Sequence, residues 1–256
     1  MTVRERRIEG RRMLVIGASS GIGRAVAVGA ARGGARVVAA ARRAERLEQV
    51  ATETAGAVDW VAADVRSDED CDRIVHSAVQ QLGGLDTLVY AAGMSPLARL
   101  ANTDGSAWRA ILETNVVGAA LVCRAAVEAL ERSGGRAVFL SSVATEDPRP
   151  FLVPYSASKA ALDCLIRGWR SEHPRIAFTR VVIGPTAGTE FGAHWDGNAM
   201  LEFSRIRAER GLARTRPMTV EEVAGEILDA IASQVWVEDL RLMPVNAHPN
   251  HEEPRS

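Results

Sequence analysis

Short apolar runs alternate along the chain with longer stretches in which apolar residues recur at helical spacing. The run at 13–16 (MLVI) stops at Gly17, which is typical of a buried parallel strand, and the alanine-rich stretch at 22–32 follows it as a helix. This pattern repeats, and it predicts strands at 13–16, 36–41, 58–64, 85–91, 136–142, 175–184 and 238–243 and helices at 22–32, 43–54, 67–81, 106–132, 155–171 and 219–233. Such alternation requires a parallel sheet with right-handed crossovers and helices on both faces.

The whole chain, residues 1–256, reads as one doubly wound α/β domain. It contains no internal repeat and no linker rich enough in Pro, Gly or Ser to separate two domains. The predicted core covers about residues 11–245, and the polar tail from about 247, which holds two prolines, is expected to fray.

Composition excludes several classes of protein. Hydrophobic residues make up 47% and charged residues 25% of the chain, which is average for a soluble globular protein and argues against disorder or a coiled coil. The formal net charge is −1, from 31 basic and 32 acidic residues, so no basic field is present to bind nucleic acid. We therefore expect no nucleic-acid partner.

Cysteine and histidine usage points to a reducing compartment and to no metal. The three cysteines form no CxxC pair, and none of the five histidines belongs to a recognisable ligand motif. The charged N-terminus has no apolar segment of a signal peptide, and no apolar run approaches the roughly 18 residues that span a bilayer. These features predict a cytoplasmic protein without a membrane segment.

A glycine-rich turn, Gly17-Ala-Ser-Ser-Gly21-Ile-Gly23, lies between the first strand and the first helix. Gly17 allows a tight turn, Gly21 a close approach of the backbone to a pyrophosphate, and Gly23 close packing of helix on sheet. The free amides of the helix N-terminus then face the phosphates. The alternative is a small-residue turn without a ligand. The position of the turn favours a dinucleotide site, and with it a Rossmann-type, three-layer α/β/α fold with a parallel sheet of about seven strands.

The end of the second strand bears on which nicotinamide cofactor binds. An NAD site needs an acidic residue there, whereas the 2′-phosphate of NADP needs a guanidinium. Ala41 occupies the expected acidic position and Arg42 follows it, so we expect NADP(H), with NAD(H) as the alternative. Arg42 as the start of a solvated helix is the competing interpretation. Asp64, after the third strand, is a candidate acceptor for the adenine amino group or, alternatively, a helix cap.

Tyr155 and Lys159 are four residues apart and therefore lie one turn apart on one helix face. A confined ammonium lowers the pKa of a neighbouring phenol, which lets the phenol exchange a proton with a carbonyl or alcohol oxygen. Lys159 is the only lysine among the 31 basic residues. In a chain that otherwise uses arginine, chance would rarely place the one lysine at this position. Arginine is shaped for forked contacts rather than for a point contact to ribose hydroxyls, which favours the catalytic interpretation over ordinary packing.

The pieces ASSGIG (18–23), Asn115, Ser141-Ser142 and YSASK (155–159) together resemble the short-chain dehydrogenase/reductase family over about residues 11–245. The resemblance implies that Tyr155 is the general acid/base and that Lys159 holds the nicotinamide ribose and lowers the pKa of the phenol. It implies that Ser142, or the adjacent Ser141, binds the substrate oxygen; the spacing to Tyr155 favours Ser142. Asn115 would hold a water that links Lys159 to solvent.

The resemblance also assigns the cofactor contacts. A Gly184-Pro185-Thr186 segment stands where relatives have Pro-Gly beside the nicotinamide, and Thr189 would contact the carboxamide or the diphosphate. The implied cofactor-binding residues are Gly17, Ser19, Ser20, Gly21, Ile22, Gly23, Arg42, Asp64, Val65, Ala92, Gly93, Asn115, Tyr155, Lys159, Pro185, Thr186 and Thr189.

Three positions depart from the family pattern. Ile16 replaces the usual threonine before the first glycine, and Ala91 replaces the second asparagine of Asn-Asn-Ala-Gly in the segment Tyr90-Ala-Ala-Gly. Because that threonine and asparagine tie two strands together in relatives, the double change exchanges a polar contact for apolar packing. The third departure is the inverted Gly184-Pro185 order, which bears on the backbone path beside the nicotinamide.

Residues 190–212 occupy the stretch that forms a substrate lid in relatives. Its apolar members, which favour an apolar or aromatic carbonyl substrate over a small charged one, are Phe191, Trp195, Met200, Leu201 and Phe203. Ordinary helix packing is the alternative role for them. The C-terminal segment resembles instead a branch that acts on small hydroxy acids or diverse carbonyls, so the sequence leaves the substrate open.

Two hypotheses follow from the sequence. The first is an NADP(H)-dependent oxidoreductase that interconverts a secondary alcohol and a ketone or aldehyde; an NAD-preferring dehydrogenase is its variant. The second is a non-catalytic NADP(H)-responsive binding protein on the same fold. The resemblance also implies a homo-oligomer, a tetramer or dimer, in which the helices at 106–132 and 155–171 pair through the small residues Ala119, Ala120, Ala125, Ala160 and Ala161.

Overall fold

The computed structural model describes residues 8–192, 195–209 and 216–245. Within them, seven parallel strands form one sheet in the order β3-β2-β1-β4-β5-β6-β7. The strands are β1 Arg12–Ile16, β2 Arg36–Ala41, β3 Val58–Ala62, β4 Thr87–Tyr90, β5 Arg136–Ser142, β6 Ala177–Ile183 and β7 Asp239–Leu242. The predicted Rossmann-type fold is confirmed. The predicted tail from 247, and residues 193, 194 and 210–212 of the predicted lid, lie outside the described residues.

The described helices follow the strands as the alternating pattern predicts. They are α1 Gly21–Arg32, α2 Ala44–Glu53, α3 Asp68–Leu82, α4 Gly105–Leu112, α5 Gly118–Ser133, α6 Val153–Glu172, α7 Gly197–Glu209 and α8 Val220–Ala232. Local signals define several ends: Ser67 caps α3 by accepting from the Asp70 amide, Thr219 and Glu222 form a capping box on α8, and Gly134 ends α5 in the left-handed conformation.

Two hydrophobic cores lie on opposite faces of the sheet because side chains alternate along each strand. Val15, Ala39 and Val89 pack against helices α1, α2 and α8, whereas the neighbouring Leu14 and Leu88 pack against α3, α5 and α6. The strand order reverses between β1 and β4, and in a doubly wound sheet this switch point opens a crevice at the carboxyl ends of the strands.

The predicted helix at 106–132 is interrupted. Helix α4 ends at Leu112, a π-helical turn covers Glu113–Val117, and α5 begins at Gly118. The Tyr90 phenol donates a 2.6 Å hydrogen bond to the Thr114 carbonyl within this turn. A Cβ on Gly118 would stand 2.7 Å from the Val65 carbonyl oxygen, so the glycine lets the wide turn pack against the strand ends.

Among the described residues, the stretch Gly105–Ser133 is long and apolar enough to cross a membrane by length and composition, with a mean hydropathy of 1.5. The sequence-based expectation that no apolar run approaches this length is therefore wrong by that measure. The side chains of Val122, Cys123 and Ala126 are buried in the core that α5 shares with α3 and the sheet. Across the most apolar part of this stretch, 39% is buried inside the fold.

Candidate active site

The glycine-rich turn joins β1 to α1 at the switch point of the sheet. Gly17 has a φ of +81°, and a Cβ there would stand 2.6 Å from the backbone nitrogen of Ala92. Its amide donates to the Ala40 carbonyl at 2.8 Å. No side chain larger than hydrogen fits between β1 and the segment after β4, which is the role that the sequence predicts for Gly17.

The rest of the turn exposes the N-terminus of α1. Gly21 has a φ of +55°, and a Cβ on Gly23 would stand 2.4 Å from the Gly17 carbonyl oxygen, so helix and turn touch through backbone. The N-cap residue Ser20 makes no side-chain cap hydrogen bond, and the first turn of α1 carries no acidic residue. An uncapped helix start behind a glycine cradle fits the diphosphate of a dinucleotide.

Arg43, rather than the neighbouring Arg42, contacts the glycine-rich turn. Its guanidinium donates to the hydroxyl oxygens of Ser19 at 3.0 Å and Ser20 at 3.1 Å, and it forms an ion pair with Glu190 at 2.7 Å. Arg42, the predicted phosphate ligand, is exposed at the end of β2, beside the predicted cofactor crevice. The sequence analysis overlooked Arg43, although it is the second residue after the strand end, because nothing in the pattern shows which of two adjacent arginines turns toward the glycines.

Asp64 lies two residues beyond the end of β3, so the predicted strand at 58–64 is shorter than expected. Its carboxylate accepts hydrogen bonds from the side chain and the backbone amide of Arg66, and these contacts lower the pKa of Asp64. Asp64 does not cap α3; Ser67 does. The next residue, Val65, is buried in the core beneath.

Tyr155 and Lys159 lie one turn apart near the start of α6, as predicted. The Lys159 Nζ donates a 2.7 Å hydrogen bond to the carbonyl of Leu140 in β5 and stands 5.8 Å from the centre of the Tyr155 ring. Lys159 is 4% exposed, which is exceptional for a lysine and requires a partner. The carbonyl is that partner, and it fixes the ammonium beside the phenol.

Burial dominates the ionisation of this pair. It raises the pKa of Tyr155 to about 12, against which a hydrogen bond with Ser142 acts, and it lowers the pKa of Lys159 to about 8. Asp163, one further turn along α6, raises the pKa of Lys159. The pKa of the phenol is therefore raised rather than depressed in this structure, because desolvation by burial is the largest influence on it.

The two adjacent serines at the end of β5 differ in their surroundings. Ser142 hydrogen-bonds the Tyr155 side chain, and its Oγ accepts from the Ala144 amide at 3.2 Å. The Ser141 Oγ is buried and has no hydrogen-bond partner among the described residues. The structure therefore brings Ser142, the predicted serine, to the phenol, and it directs Ser141 into the fold.

Asn115 is fully buried in the π-helical turn between α4 and α5. Its Nδ2 donates to the Met94 carbonyl at 3.0 Å and to the Ser158 Oγ at 2.9 Å, and its Oδ1 accepts from the Met94 amide at 2.9 Å. Ser158 in turn donates to the Tyr155 carbonyl at 2.7 Å. Both amide hydrogens of Asn115 are thus committed to protein partners.

Ser158 is a member of the site that the sequence analysis did not single out. It connects the turn that carries Asn115 to the helix that carries Tyr155, and it is fully buried. Its place inside YSASK, one residue before Lys159, was the available signal. A Cβ on Gly93 would stand 3.6 Å from both the Asn115 Oδ1 and the Lys159 Nζ, which places all of these groups around one small space.

A model of the short chain dehydrogenase family matches residues 11–198, a stretch that includes the glycine turn and the Tyr155/Lys159 pair. This chain belongs to the short-chain dehydrogenase family. A hydroxysteroid 11-beta-dehydrogenase 1-like protein of Danio rerio is 37% identical over 173 residues, which are 66% of this chain and 60% of the relative. The 11-beta-hydroxysteroid dehydrogenase 1A of Arabidopsis thaliana is 40% identical over 166 residues, which are 63% of this chain and 48% of the relative.

Solved structures show the same family likeness. An alcohol dehydrogenase of the archaeon Thermococcus sibiricus, in complex with 5-hydroxy-NADP, has a TM-score of 0.81 at 25% identity and covers 94% of this chain and 99% of its own. A short-chain dehydrogenase of Streptomyces avermitilis has a TM-score of 0.79 at 27% identity, covering 91% of this chain and 88% of its own. The chain thus matches only 60% and 48% of the length of these two curated relatives, but 99% and 88% of the length of these two solved structures.

The family's lid position is occupied here by an aromatic cluster. Phe191 meets Tyr155 edge-on with 4.8 Å between ring centres, and Trp195 meets Phe191 at 5.4 Å and Phe203 at 5.9 Å. Leu97, Phe151 and Leu152 complete the buried cluster. Met200 and Leu201 are 37% and 71% exposed, so these two predicted lid residues do not join it.

The segment after β6 lies against the glycine turn and the end of β7. The Met218 amide donates to the Pro185 carbonyl at 3.0 Å, and the Thr186 hydroxyl donates to the Gly184 carbonyl at 3.1 Å. A Cβ on Gly184 would stand 2.7 Å from the Met243 sulfur and 3.1 Å from the Leu242 carbonyl oxygen, so β6 passes close to the end of β7 here. The Thr189 Cα stands 3.7 Å from where a Gly21 Cβ would lie, which brings this segment onto the glycine turn.

The other two departures from the family pattern, Ile16 and Ala91, are accommodated by a backbone hydrogen bond and by apolar side-chain packing. The Ala91 amide donates to the Ile16 carbonyl at 2.9 Å, so the two strands stay tied through their backbones. The Ile16 side chain is buried in the core of α3, α5 and α6, and Ala91 packs on the opposite core. The polar contact is thus replaced by apolar packing as expected, but Ile16 and Ala91 pack on opposite faces of the sheet rather than against each other.

Proposed function

We propose that this protein is an NADP(H)-dependent oxidoreductase that interconverts a secondary alcohol and a ketone or aldehyde by hydride transfer, with Tyr155 as the general acid/base. One observation carries the proposal: the phenol of Tyr155 is hydrogen-bonded to Ser142 and lies beside the buried ammonium of Lys159, at the carboxyl edge of the sheet. A protein that only bound a nucleotide would have no need of this costly burial of a cation.

The nicotinamide of the bound cofactor supplies or accepts the hydride. When the cofactor is bound, the glycine turn and the uncapped start of α1 would hold its diphosphate, and Lys159 would hold the nicotinamide ribose. In the reductive direction, Ser142 and Tyr155 hydrogen-bond the carbonyl oxygen of the substrate. Tyr155 then gives its proton to the developing alkoxide, so that no free alkoxide forms. In the oxidative direction the phenolate accepts the proton of the alcohol.

The pKa values bear on how Tyr155 works. A phenol whose pKa is raised to about 12 is protonated at neutral pH, which is the form that reduction of a carbonyl requires. Oxidation needs the phenolate, and the positively charged nicotinamide of NADP+ together with Lys159 favours that form. We therefore propose that reduction is the faster direction near neutral pH.

The preference for NADP(H) rests on charge at the end of β2. Ala41 leaves this strand end without a carboxylate, and Arg42, Arg43 and Arg46 follow within one helical turn of it. A guanidinium cluster makes stronger, charge-assisted contacts with a 2′-phosphate than with an uncharged pair of ribose hydroxyls.

The substrate side is apolar. Phe191 covers the Tyr155 ring, and Trp195 and Phe203 extend the aromatic surface behind it. The relatives from zebrafish and Arabidopsis carry hydroxysteroid dehydrogenase names. We propose an apolar, ring-bearing ketone or secondary alcohol as the substrate class, in place of a small charged hydroxy acid. A homotetramer or homodimer and a cytoplasmic location remain predictions; Ala119, one of the predicted interface residues, is buried within the chain.

The test is oxidation of NADPH, followed by absorbance, against a panel of cyclic ketones and small keto acids. The proposal predicts turnover with members of the first group. Tyr155→Phe should abolish turnover while leaving the affinity for NADPH unchanged, because the ring and its packing are retained and only the hydroxyl, which carries the transferred proton, is lost. Equal turnover by the variant would remove Tyr155 from the mechanism. NADPH binding without turnover of any panel member would favour the non-catalytic binding protein.

A further inference from the structure

Glu190, the first residue of the lid, lies at the glycine turn rather than at the substrate. Its carboxylate pairs with Arg43 at 2.7 Å and with Arg46 at 3.8 Å, and it hydrogen-bonds the Ser20 side chain. The preceding residue, Thr189, packs against Gly21. The base of the lid is thus fastened to the turn by one acidic side chain.

The guanidinium of Arg43 sits where a phosphate-bearing cofactor would need it. It already contacts the hydroxyls of Ser19 and Ser20, which lie within the dinucleotide turn, and it follows the strand end that faces the adenine ribose in this fold. A carboxylate and a phosphate compete for such a fork because both accept its parallel donors. A phosphate that binds at Arg43 and Arg46 would meet the Glu190 carboxylate, which pairs with both.

We propose that Glu190 is an intramolecular competitor for the cofactor's 2′-phosphate at Arg43 and Arg46, and that it thereby determines cofactor specificity. A cofactor with the phosphate displaces the carboxylate and replaces its ion pair, whereas a cofactor without it leaves Glu190 in place. The next residue after Glu190 is Phe191, whose ring packs edge-on against Tyr155. This inference rests on the NADP(H) preference proposed above.

The arginines around Glu190 hold the pKa of its carboxyl below the ordinary value, so the carboxylate is charged at neutral pH. Arg43 and Glu190 are 40% and 39% exposed, and exposed pairs are individually weak. The expected effect of removing the carboxylate is accordingly small but selective for the phosphate.

The experiment is a calorimetric titration of the full chain with 2′,5′-ADP and, separately, with 5′-AMP, which differ only in the 2′-phosphate. Glu190→Gln should bind 2′,5′-ADP about three- to fivefold more tightly and 5′-AMP unchanged. Arg43→Gln should bind 2′,5′-ADP about tenfold more weakly, again with 5′-AMP unchanged. When Glu190→Gln is added to Arg43→Gln, the affinity for 2′,5′-ADP should rise by a smaller factor than Glu190→Gln gives in the wild-type protein, because the two residues act on each other.

Glu202→Gln is the matched control. Glu202 is also a lid carboxylate in an ion pair with an arginine, Arg99, but this pair lies away from the glycine turn. It should leave both affinities unchanged.

Two failures are distinguishable. A wild-type preference for 2′,5′-ADP that Glu190→Gln leaves unaltered, or an equal gain for both nucleotides, would overturn the inference and spare the proposed cofactor. If neither the wild-type protein nor Glu190→Gln binds 2′,5′-ADP more tightly than 5′-AMP, the NADP(H) proposal is overturned and the inference with it.

Discussion

Lys159 is bound through its ammonium to the backbone carbonyl of Leu140, at 2.7 Å. This contact ties α6, which carries Tyr155, to β5, which ends at Ser142. A buried cation that is bound to a neutral carbonyl is destabilising to the fold, and its lowered pKa of about 8 records that penalty. The position is thus held at a thermodynamic cost that can be measured.

Replacement of this lysine should change the pH dependence of stability. Between about pH 8 and the ordinary lysine value of 10.5, an unfolded Lys159 holds a proton that the folded one has lost, so the free energy of unfolding of the wild type rises with pH across this window. Lys159→Met lacks this rise. Its free energy of unfolding relative to wild type should therefore fall by about 3 kcal/mol from pH 7.5 to pH 10.5, on the order of the pKa shift.

Urea unfolding of both proteins across that range provides the measurement. Tyr155 acts in the opposite sense only above pH 10, where an unfolded phenol ionises first, and it is present in both proteins. A difference that does not vary with pH would mean that Lys159 is solvated and protonated throughout.

The ring of Phe191 packs edge-on against the phenol ring of Tyr155. The chain contains two tyrosines, and both have a raised pKa, Tyr90 because it is fully buried. Phe191→Ala removes the ring that meets Tyr155 edge-on and admits water, so the Tyr155 pKa should fall from about 12 by roughly one unit. An ultraviolet titration of tyrosinate should show half of the absorbance change moving to lower pH. No movement would mean that the desolvation comes from elsewhere in the pocket.

Gly23 and Gly168 form a matched pair of helix glycines. A Cβ on Gly23 would stand 2.4 Å from the Gly17 carbonyl oxygen, whereas a Cβ on Gly168, in α6, meets nothing within 4 Å. Gly23→Ala should cost about 1–3 kcal/mol in the free energy of unfolding and also weaken nucleotide binding. Gly168→Ala should stabilise the protein by about 0.5–1 kcal/mol and leave binding unchanged. Similar effects at both positions would contradict the close helix–turn contact.

The phenol of Tyr90 hydrogen-bonds the π-helical turn that contains Asn115. It donates to the Thr114 carbonyl at 2.6 Å, while its ring stacks near Phe139. Tyr90→Phe keeps the ring and leaves the carbonyl unpartnered, so the free energy of unfolding should drop by about 1–3 kcal/mol. Thermal or urea unfolding measures this loss. Wild-type stability in the variant would show that water or a local shift satisfies the carbonyl.

The sequence predicted the architecture because hydrophobic periodicity and glycine placement report directly on strands, helices and turns. All seven predicted strands are present, and Gly17, Tyr155, Lys159 and Ser142 lie where motif spacing put them. These features depend on neighbours in the chain, which the sequence displays.

Features that depend on contacts distant in the chain were not predictable. The π-helical turn at Glu113–Val117 is contacted by Tyr90, which lies more than twenty residues earlier and donates to the Thr114 carbonyl. Likewise, the orientation of Arg43 is fixed by Ser19 and Glu190, which approach it only in the folded chain. The pKa of Tyr155 follows from burial beneath the lid, which spacing along one helix does not reveal.

The central claim is that the glycine turn and the arginines after β2 form an NADP(H) site. Calorimetric titration of the purified, nucleotide-free protein with NADPH and, in parallel, with NADH tests it most directly. The account predicts micromolar binding of NADPH and binding of NADH at least about tenfold weaker, the scale of one charge-assisted phosphate contact. Binding of neither nucleotide by protein shown to be folded, or equal binding of both, would contradict it.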